Sequence, residues 1–183
     1  MWLSLRTTLY HGTASEIQQV DVKLGRERKD FGKGFYMAVS RSQAIGMMHK
    51  KYRETIRRSK GKQDSAYAEK LYEITLNKDY MSKLNIKVFH TADFEWLDFV
   101  LMCREKGGMP HVYDMVVGPT ADDDTAFCLK AYWAGLYGKV SSDAAKRILL
   151  NNLETENLGI QYYTGKQEVA DQLIANIKAI EWR

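Results

Sequence analysis

Two short segments, each of which joins strand-forming residues to glycine, constrain the fold of this chain most strongly. The first is Leu-Tyr-His-Gly-Thr at residues 9–13, and the second is Phe-Gly-Lys-Gly-Phe-Tyr-Met-Ala at residues 31–38. Because glycine has no Cβ, a strand that contains it leaves its backbone open to close approach by another group. The first segment brings an imidazole to a sheet edge, and the second brings an aromatic ring. Together they predict a pocket for a flat, hydrogen-bonding ligand.

The length and composition favour one globular domain. The chain has 183 residues, of which 45% are hydrophobic and 27% charged, enough for one well-buried core and too few to expect two. We therefore expect residues 1–183 to form a single domain. No apolar run reaches the roughly 18 residues that span a bilayer, and residues 1–6 lack the apolar core of a signal peptide. These features predict a cytoplasmic protein without membrane contact.

Hydrophobic periodicity predicts short strands and helices in an irregular order. Ser40 and Gln43 have the spacing of a capping box, which predicts a helix over residues 40–58. Apolar residues in helical register predict another helix over residues 167–177. Strands are expected at residues 7–10, 34–39, 70–76, 84–89, 112–117 and 159–163. Because strands and helices do not alternate in regular βαβ units, the fold class is α+β.

The cysteine and histidine residues do not indicate a metal site. Cys103 and Cys128 lie in apolar sequence surroundings, which is typical of reduced thiols packed as small hydrophobic groups. The chain has no Cys-x-x-Cys motif, and its four histidines are scattered. We therefore expect no metal.

The two glycine-marked segments, followed by Ser-Arg-Ser at residues 40–42, resemble the NAD-binding half of ADP-ribosyltransferases of the His-Tyr-Glu kind, the class of poly(ADP-ribose) polymerases and diphtheria toxin. The sequence is similar over most of its length to an uncharacterised bacterial family with such a fold, domain of unknown function 3990. The resemblance implies an ADP-ribosyltransferase-like fold in which split antiparallel β-sheets form an NAD cleft, with surrounding helices. It also implies NAD as co-substrate.

The resemblance assigns roles to individual residues. His11 would bond a hydroxyl of the adenosine ribose, and Gly12 would offer its backbone N–H and C=O to the nicotinamide carboxamide, supported by Thr13. Tyr36 would stack against the nicotinamide end. The class often carries a second aromatic about ten residues later, whereas residues 43–47 contain none. Either a methionine, Met47 or Met48, completes this clamp or the clamp is one-sided.

Gly34 and Ser40 complete the NAD-binding set that the resemblance implies. The third catalytic position of the class is a glutamate on a late strand, and the best match here is Gln161 in Gly-Ile-Gln-Tyr-Tyr. Glutamine keeps the geometry but supplies no negative charge. Hydrogen bonds to charged groups contribute about 1.5–3 kcal/mol against roughly 1 for neutral ones, so transfer is expected to be weaker by about ten-fold or more.

Three outcomes remain open at this position. A neutral residue is compatible with mono-ADP-ribosylation in place of poly-ADP-ribosylation. Alternatively, a carboxylate from elsewhere enters the site, the candidates being Asp122, Asp123, Asp124 and Glu168. The third outcome is a catalytically inactive domain that binds NAD or ADP-ribose.

The segment from residue 49 to residue 62 is rich in Lys and Arg, with Glu54 as its acidic residue. It is either a solvated helix end, where cations suit the helix dipole, or a contact for nucleic-acid phosphates.

From these observations we expect an NAD-dependent mono-ADP-ribosyltransferase-like protein with His11, Tyr36 and Gln161 as catalytic residues. Its setting would be a bacterial toxin–antitoxin pair or a phage-conflict effector that modifies a protein or nucleic acid, with an antitoxin as a further partner. The alternatives are an inactive NAD- or ADP-ribose-binding domain, and a protein that binds or modifies nucleic acid through residues 49–62.

Overall fold

A computed structural model of the chain describes residues 5–59, 67–121, 123–153 and 158–183. These residues form an α+β fold with seven strands and six α-helices. The strands are β1 (Thr8–Ser15), β2 (Phe35–Ala38), β3 (Tyr67–Leu76), β4 (Ile86–Val88), β5 (Met115–Pro119), β6 (Ile160–Thr164) and β7 (Ile174–Ile180). The helices are α1 (Arg41–Arg58), α2 (Lys78–Met81), α3 (Phe94–Lys106), α4 (Asp123–Trp133), α5 (Asp143–Asn152) and α6 (Gln167–Leu173).

All seven strands belong to one sheet in the order β4-β5-β6-β2-β1-β3-β7. Only the β4–β5 pair is parallel among them. The sheet is therefore single, and the two separate antiparallel sheets of our expectation are not formed. The β1–β2 pair, however, is in register at Tyr10 and Ala38 alone. Beyond that point the His11 side chain bonds to the carbonyl oxygen of Tyr36, so that a side chain spans the space between β1 and β2, which we call the gap.

Helices cover both faces of the sheet. Alternation along the strands places Tyr36, Gln161 and Tyr163 on one face, and Tyr163 and Tyr36 pack there with α3, α4 and α5. The same face carries α1, whose Ala44 and Met48 pack on Leu71 and Ala38. The other face buries Leu9, Met37, Ile74 and Tyr162 beneath residues of α2 and α6. Each face thus has its own buried core.

The helix α1 begins where the sequence predicts it. Ser40 is its N-cap and accepts a hydrogen bond from the backbone N–H of Gln43, which satisfies an otherwise unpaired helix-end donor. Cys103 and Cys128 are both buried and free, as predicted.

The predicted helix over residues 167–177 is wrong in its second half. The helix ends at Leu173, and residues 174–180 form the edge strand β7, which pairs with β3 so that Ile177 lies opposite Ile74. β-branched isoleucines favour strands, and β3 offers unpaired backbone groups at its edge. Tertiary pairing therefore outweighs the helical spacing of the apolar residues.

Each of the two glycine-marked segments contains a glycine that another part of the chain approaches closely. A Cβ on Gly12 would lie 1.9 Å from the carbonyl oxygen of Ala44 and 2.8 Å from Cβ of Met48, so the lack of a side chain lets α1 pack directly on β1. A Cβ on Gly34 would lie 2.3 Å from the carbonyl oxygen of Thr164. At both positions the space that the sequence suggested for a ligand is filled by the chain itself.

We expect Gly12→Ala to destabilise the protein, because its Cβ would meet backbone of α1 that cannot move independently. The cost should be at least about 1–3 kcal/mol, the usual range for overpacking, measured as the free energy of unfolding in urea. Gly46→Ala is the matched control, since a Cβ there meets nothing within 4 Å and a helical alanine should stabilise by about 0.8–1 kcal/mol. Equal stability of the two variants would contradict the packing role of Gly12.

Candidate functional site

The imidazole of His11 lies in the gap between β1 and β2. Its Nδ1 is 2.6 Å from the carbonyl oxygen of Tyr36, and because a carbonyl can only accept, Nδ1 carries the proton and Nε2 is an acceptor. The ring stacks on Phe35 at 4.5 Å between centroids. Burial, followed by the nearby charge of Lys51, lowers the pKa of His11 to about 3. His11 is therefore a neutral ring with one acceptor nitrogen.

Lys51 reaches from α1 into the same gap. Its Nζ donates to the carbonyl oxygen of Gly12 at 2.9 Å and lies 3.3 Å from Nε2 of His11. Burial, followed by the charges of Lys29 and Arg26, lowers the pKa of Lys51 to about 8. The ammonium group thus holds both acceptors that the resemblance assigns to NAD, and a ligand would have to displace it.

Tyr36 is fixed by the loop that precedes β2. Its hydroxyl donates to the carbonyl oxygen of Gly32 at 2.6 Å and accepts from the N–H of Phe31 at 3.0 Å. The ring lies 5.0 Å from that of Tyr163, and Nζ of Lys29 is 5.9 Å from its centroid. Burial, then the charge of Asp30, raises the pKa of Tyr36 well above its usual value. The Tyr36 hydroxyl is therefore already engaged, and its ring packs against Tyr163 with Lys29 above it.

Gln161 lies close to Tyr36 on the same face of the sheet. It stands opposite Ala38 in the β2–β6 register, so strand geometry puts its Cα roughly 8 Å from that of Tyr36. Across the next strand Ala38 pairs with Tyr10, the residue before His11. The structure thus places the three predicted catalytic residues on three adjacent strands, but the contact of His11 is with the Tyr36 backbone and not with its ring.

The carboxylate beside Gln161 belongs to Asp30, which is not among the residues predicted from the sequence. Asp30 is 2% exposed and accepts hydrogen bonds from Arg104 at 3.0 and 2.5 Å and from the Gln161 side chain at 2.9 Å. Burial raises the pKa of Asp30, but the positive charges of Arg104 and Lys29 outweigh it and leave the pKa below its usual value. Asp30 sits in a charged stretch that is typical of a solvated loop, so no sequence signal marked it.

The candidate carboxylates predicted from the sequence are placed differently. Asp122 lies outside the described residues, as do the side chains of Asp123 and Asp124. Glu168 is exposed in the first turn of α6, which packs on the face opposite to Gln161. The structure therefore does not bring Glu168 to the gap.

The other predicted binding residues have structural contacts of their own. Thr13 is buried and pairs with Lys70 across β1 and β3. Ser40 caps α1, and its Oγ lies 2.7 Å from Oγ of Ser42. Met48 is fully buried against Gly12, whereas Met47 is 37% exposed. Neither methionine is seen against Tyr36.

Positive charge accumulates around the gap. Lys29, Lys50, Lys51 and Arg26 are near enough that their charges influence one another: burial is the largest cause of the lowered pKa of Lys29, and the charges of Arg104, Lys50 and Arg26 add to it. Concentrated positive charge attracts anionic ligands. Within the described part of the chain no group of three His, Cys, Asp or Glu residues is placed to hold a metal ion.

Two surface cavities lie away from the gap. One of about 320 Å³ is lined by Arg28, Arg104, Glu105 and Trp133. The other, of about 410 Å³, is lined by Thr55, Arg58, Ser59 and Tyr67. In the gap between β1 and β2, Lys51 occupies the space beside His11 and Gly12.

The described part of the basic segment divides into two surfaces. Arg53, Arg57 and Arg58 are exposed on α1, whereas Lys51 points into the gap. Glu54 pairs with Arg26 at 2.7 Å and with Arg58 at 3.8 Å. Residues 60–62 of the segment lie outside the described residues.

Comparison with known proteins gives one match. Residues 7–174 match the model of a family described as a protein of unknown function, DUF3990. No curated protein and no solved structure matches the chain significantly. Among the helices that the structure describes, none is long and apolar enough to cross a membrane.

We expect the ammonium of Lys51 to titrate near pH 8. In Lys29→Met its pKa should be higher, because that substitution removes a neighbouring positive charge. Lysine-selective NMR of the side-chain nitrogen measures the midpoint. Lys139→Met, which removes an exposed cation, is the control and should leave the midpoint unchanged. A midpoint near the ordinary lysine value of about 10.4 would contradict the arrangement.

Proposed function

We propose that this chain, which belongs to the DUF3990 family, binds NAD in the gap between β1 and β2 and transfers single ADP-ribose units to a macromolecular target. The observation that carries the proposal is the grouping of a neutral acceptor, a backbone carbonyl and an ammonium at one point of the sheet. These are Nε2 of His11, the carbonyl oxygen of Gly12 and Nζ of Lys51.

The chemistry of these groups fits NAD. A ribose hydroxyl can donate to Nε2 of His11, and the carboxamide NH₂ of nicotinamide can donate to the Gly12 carbonyl. The pyrophosphate carries negative charge, which Lys51 and Lys29 can match when Lys51 leaves the two acceptors. The ring of Tyr36 would stack on the nicotinamide once Lys29, whose Nζ lies 5.9 Å from the ring centroid, moves towards the pyrophosphate.

In the proposed transfer, the bond between a ribose carbon of NAD and nicotinamide breaks with nicotinamide as the leaving group, and a nucleophilic atom of the target would bond to that carbon and lose its proton to solvent. The residues of the chain would act by holding and orienting the two ends of the molecule, which lowers the entropic part of the barrier. Gln161 adds a hydrogen bond without a formal charge. This supports slow transfer of single units in preference to chain elongation.

The proposed target is a protein or nucleic acid, and the proposed setting is a bacterial toxin–antitoxin pair or a phage-conflict effector that acts in the cytoplasm. An antitoxin partner would then restrain the activity. These assignments rest on the resemblance of the two glycine-marked segments.

A second candidate is an inactive domain that binds NAD or ADP-ribose. The neutral Gln161 favours it, as does the pairing of Asp30 with Arg104, because the nearest carboxylate already has a counter-charge. Binding of NAD without release of nicotinamide would distinguish this candidate from a transferase.

We expect the protein to bind NAD and to release nicotinamide slowly, and we expect His11→Ala to weaken NAD binding by about ten-fold, the value of one hydrogen bond of about 1.4 kcal/mol. Calorimetry measures binding, and labelled NAD measures nicotinamide release. His90→Ala is the control, since His90 is exposed and has no role in the proposed site.

Tyr36→Phe removes a hydroxyl whose partners, among the described residues, lie in the preceding loop, so it should leave NAD binding within about two-fold while the ring remains. The proposal fails if the natural protein binds no NAD, or if His11→Ala and His90→Ala bind equally well.

The exposed arginines of α1 favour a nucleic-acid contact as a third candidate. If it is correct, RNA or DNA association should weaken steeply with salt, and the joint substitution of Arg53, Arg57 and Arg58 by Gln should reduce the slope of log K against log salt by about two to three. Substituting the exposed Lys130 and Lys139 by Gln is the control. A shallow slope that the arginine substitutions do not change would exclude this surface.

A further inference from the structure

We propose that Asp30 is a positioning residue that turns the side-chain amide of Gln161 so that its carbonyl oxygen faces the ligand. Gln161 would then present an acceptor, as a glutamate in its place does, and the carboxylate charge would lie one hydrogen bond behind it. This inference rests on the proposed function, since it names how Gln161 meets the ribose of NAD.

The orientation of the Gln161 amide follows from its neighbours. Nε2 lies 2.9 Å from Oδ2 of Asp30 and 3.5 Å from the carbonyl oxygen of Pro119. An ionised carboxylate and a backbone carbonyl can only accept hydrogen bonds, so the atom between them must be the NH₂ group. Oε1 is then the free end of the amide. Among the described residues the structure gives Oε1 no donor.

Asp30 is itself held firmly. Two guanidinium nitrogens of Arg104 bond to Oδ1, and the backbone N–H of Ala121 donates to Oδ2 at 3.0 Å. The carboxylate is buried on the loop that enters β2, while Arg104 lies on α3 and Gln161 on β6. Because every partner of Asp30 donates, its carboxylate cannot turn without losing a charged hydrogen bond.

The direction of the amide matters for a reaction in which positive charge develops on a ribose carbon. A carbonyl oxygen directed at the ribose places the negative end of the amide dipole nearest to that charge, whereas an NH₂ group would place the positive end there. Preorganised dipoles of the correct sign lower the barrier, and reversed ones raise it. A hydroxyl can both donate and accept, so reversal would change the rate more than the affinity.

Asp30→Asn tests this inference. The oxygen of the introduced amide can keep Arg104, but its NH₂ then faces the NH₂ of Gln161, so the Gln161 amide should turn over. We expect kcat for nicotinamide release to fall by about ten-fold or more while KM changes by less than about three-fold.

The double variant Asp30→Asn/Gln161→Glu provides the rescue. A glutamate at position 161 accepts from the NH₂ of the amide introduced at position 30 and restores an acceptor towards the ligand, and the buried group keeps the same total charge. We expect kcat to return at least to the natural level. The single and the double variant both lose the hydrogen bond from Ala121 to position 30. If the role of Asp30 were purely structural, kcat would therefore fall equally in both.

Asp114→Asn is the matched control, because Asp114 is a partly buried acid that pairs with Lys166 at 2.6 Å away from the gap; it should leave kcat unchanged. Melting temperatures are measured for all variants. The inference is overturned if Asp30→Asn keeps the natural kcat, or if the double variant is no better than the single one.

NMR of the natural protein provides a second measurement if Asp30→Asn does not fold. On addition of NAD, the Gln161 side-chain carbonyl carbon should shift while its NH₂ protons stay protected from exchange; loss of that protection would overturn the inference. If the natural protein releases nicotinamide and Asp30→Asn releases it at the same rate, this inference alone is refuted. If the natural protein neither binds nor cleaves NAD, the proposed function is refuted, and this inference with it.

Discussion

The hydrogen bonds and ion pair of the buried Asp30 carboxylate are the interactions on which the packing of this face of the sheet depends. It connects the loop before β2 with Arg104 of α3, Gln161 of β6 and the backbone at Ala121, four segments that are distant in sequence. Removing one member of a buried ion pair costs about 3–5 kcal/mol, because the other charge is left without a partner. Full pairing of Asp30 therefore fixes the relative positions of the layers on this face of the sheet, and with them the loop that holds the Tyr36 hydroxyl.

A second constraint acts where β1 and β2 diverge. The missing Cβ of Gly12 lets α1 pack directly on β1, and this closeness allows Lys51 to reach the carbonyl of Gly12 and Nε2 of His11. The same glycine that the sequence associates with a ligand thus serves first to bring a lysine to that place. His11 stays neutral because burial and the charge of Lys51 lower its pKa, and these two effects outweigh the hydrogen bond from Nδ1 to the Tyr36 carbonyl oxygen, which raises it. The close packing of α1 on β1 therefore determines where the positive charge of Lys51 lies.

Local signals in the sequence predicted the parts of the fold that local interactions determine. The Ser40 cap located the start of α1, and alternating apolar residues located β3 approximately. The strand β7 was missed because its apolar spacing also suits a helix, and only the free edge of β3 decides between them. The strands that carry His11, Tyr36 and Gln161 were each expected from the sequence, whereas their adjacent positions in the candidate site come from the sheet order. Asp30 and Lys51 were not predicted, because their roles come from contacts across 131 and 40 residues of sequence.

The distribution of charge bears on what the proposed site can do well. The negative charge of Asp30 is balanced by Arg104 and shared with Gln161 and Ala121, so little of it is left to stabilise a positive charge on a ribose. Lys51 and Lys29 have lowered pKa values because they are buried and positive neighbours surround them, and an anionic ligand would relieve this repulsion. The electrostatics thus favour holding a pyrophosphate more strongly than breaking a glycosidic bond. Under the proposed function, the orientation of one amide, that of Gln161, would then decide how much of the binding is converted into transfer.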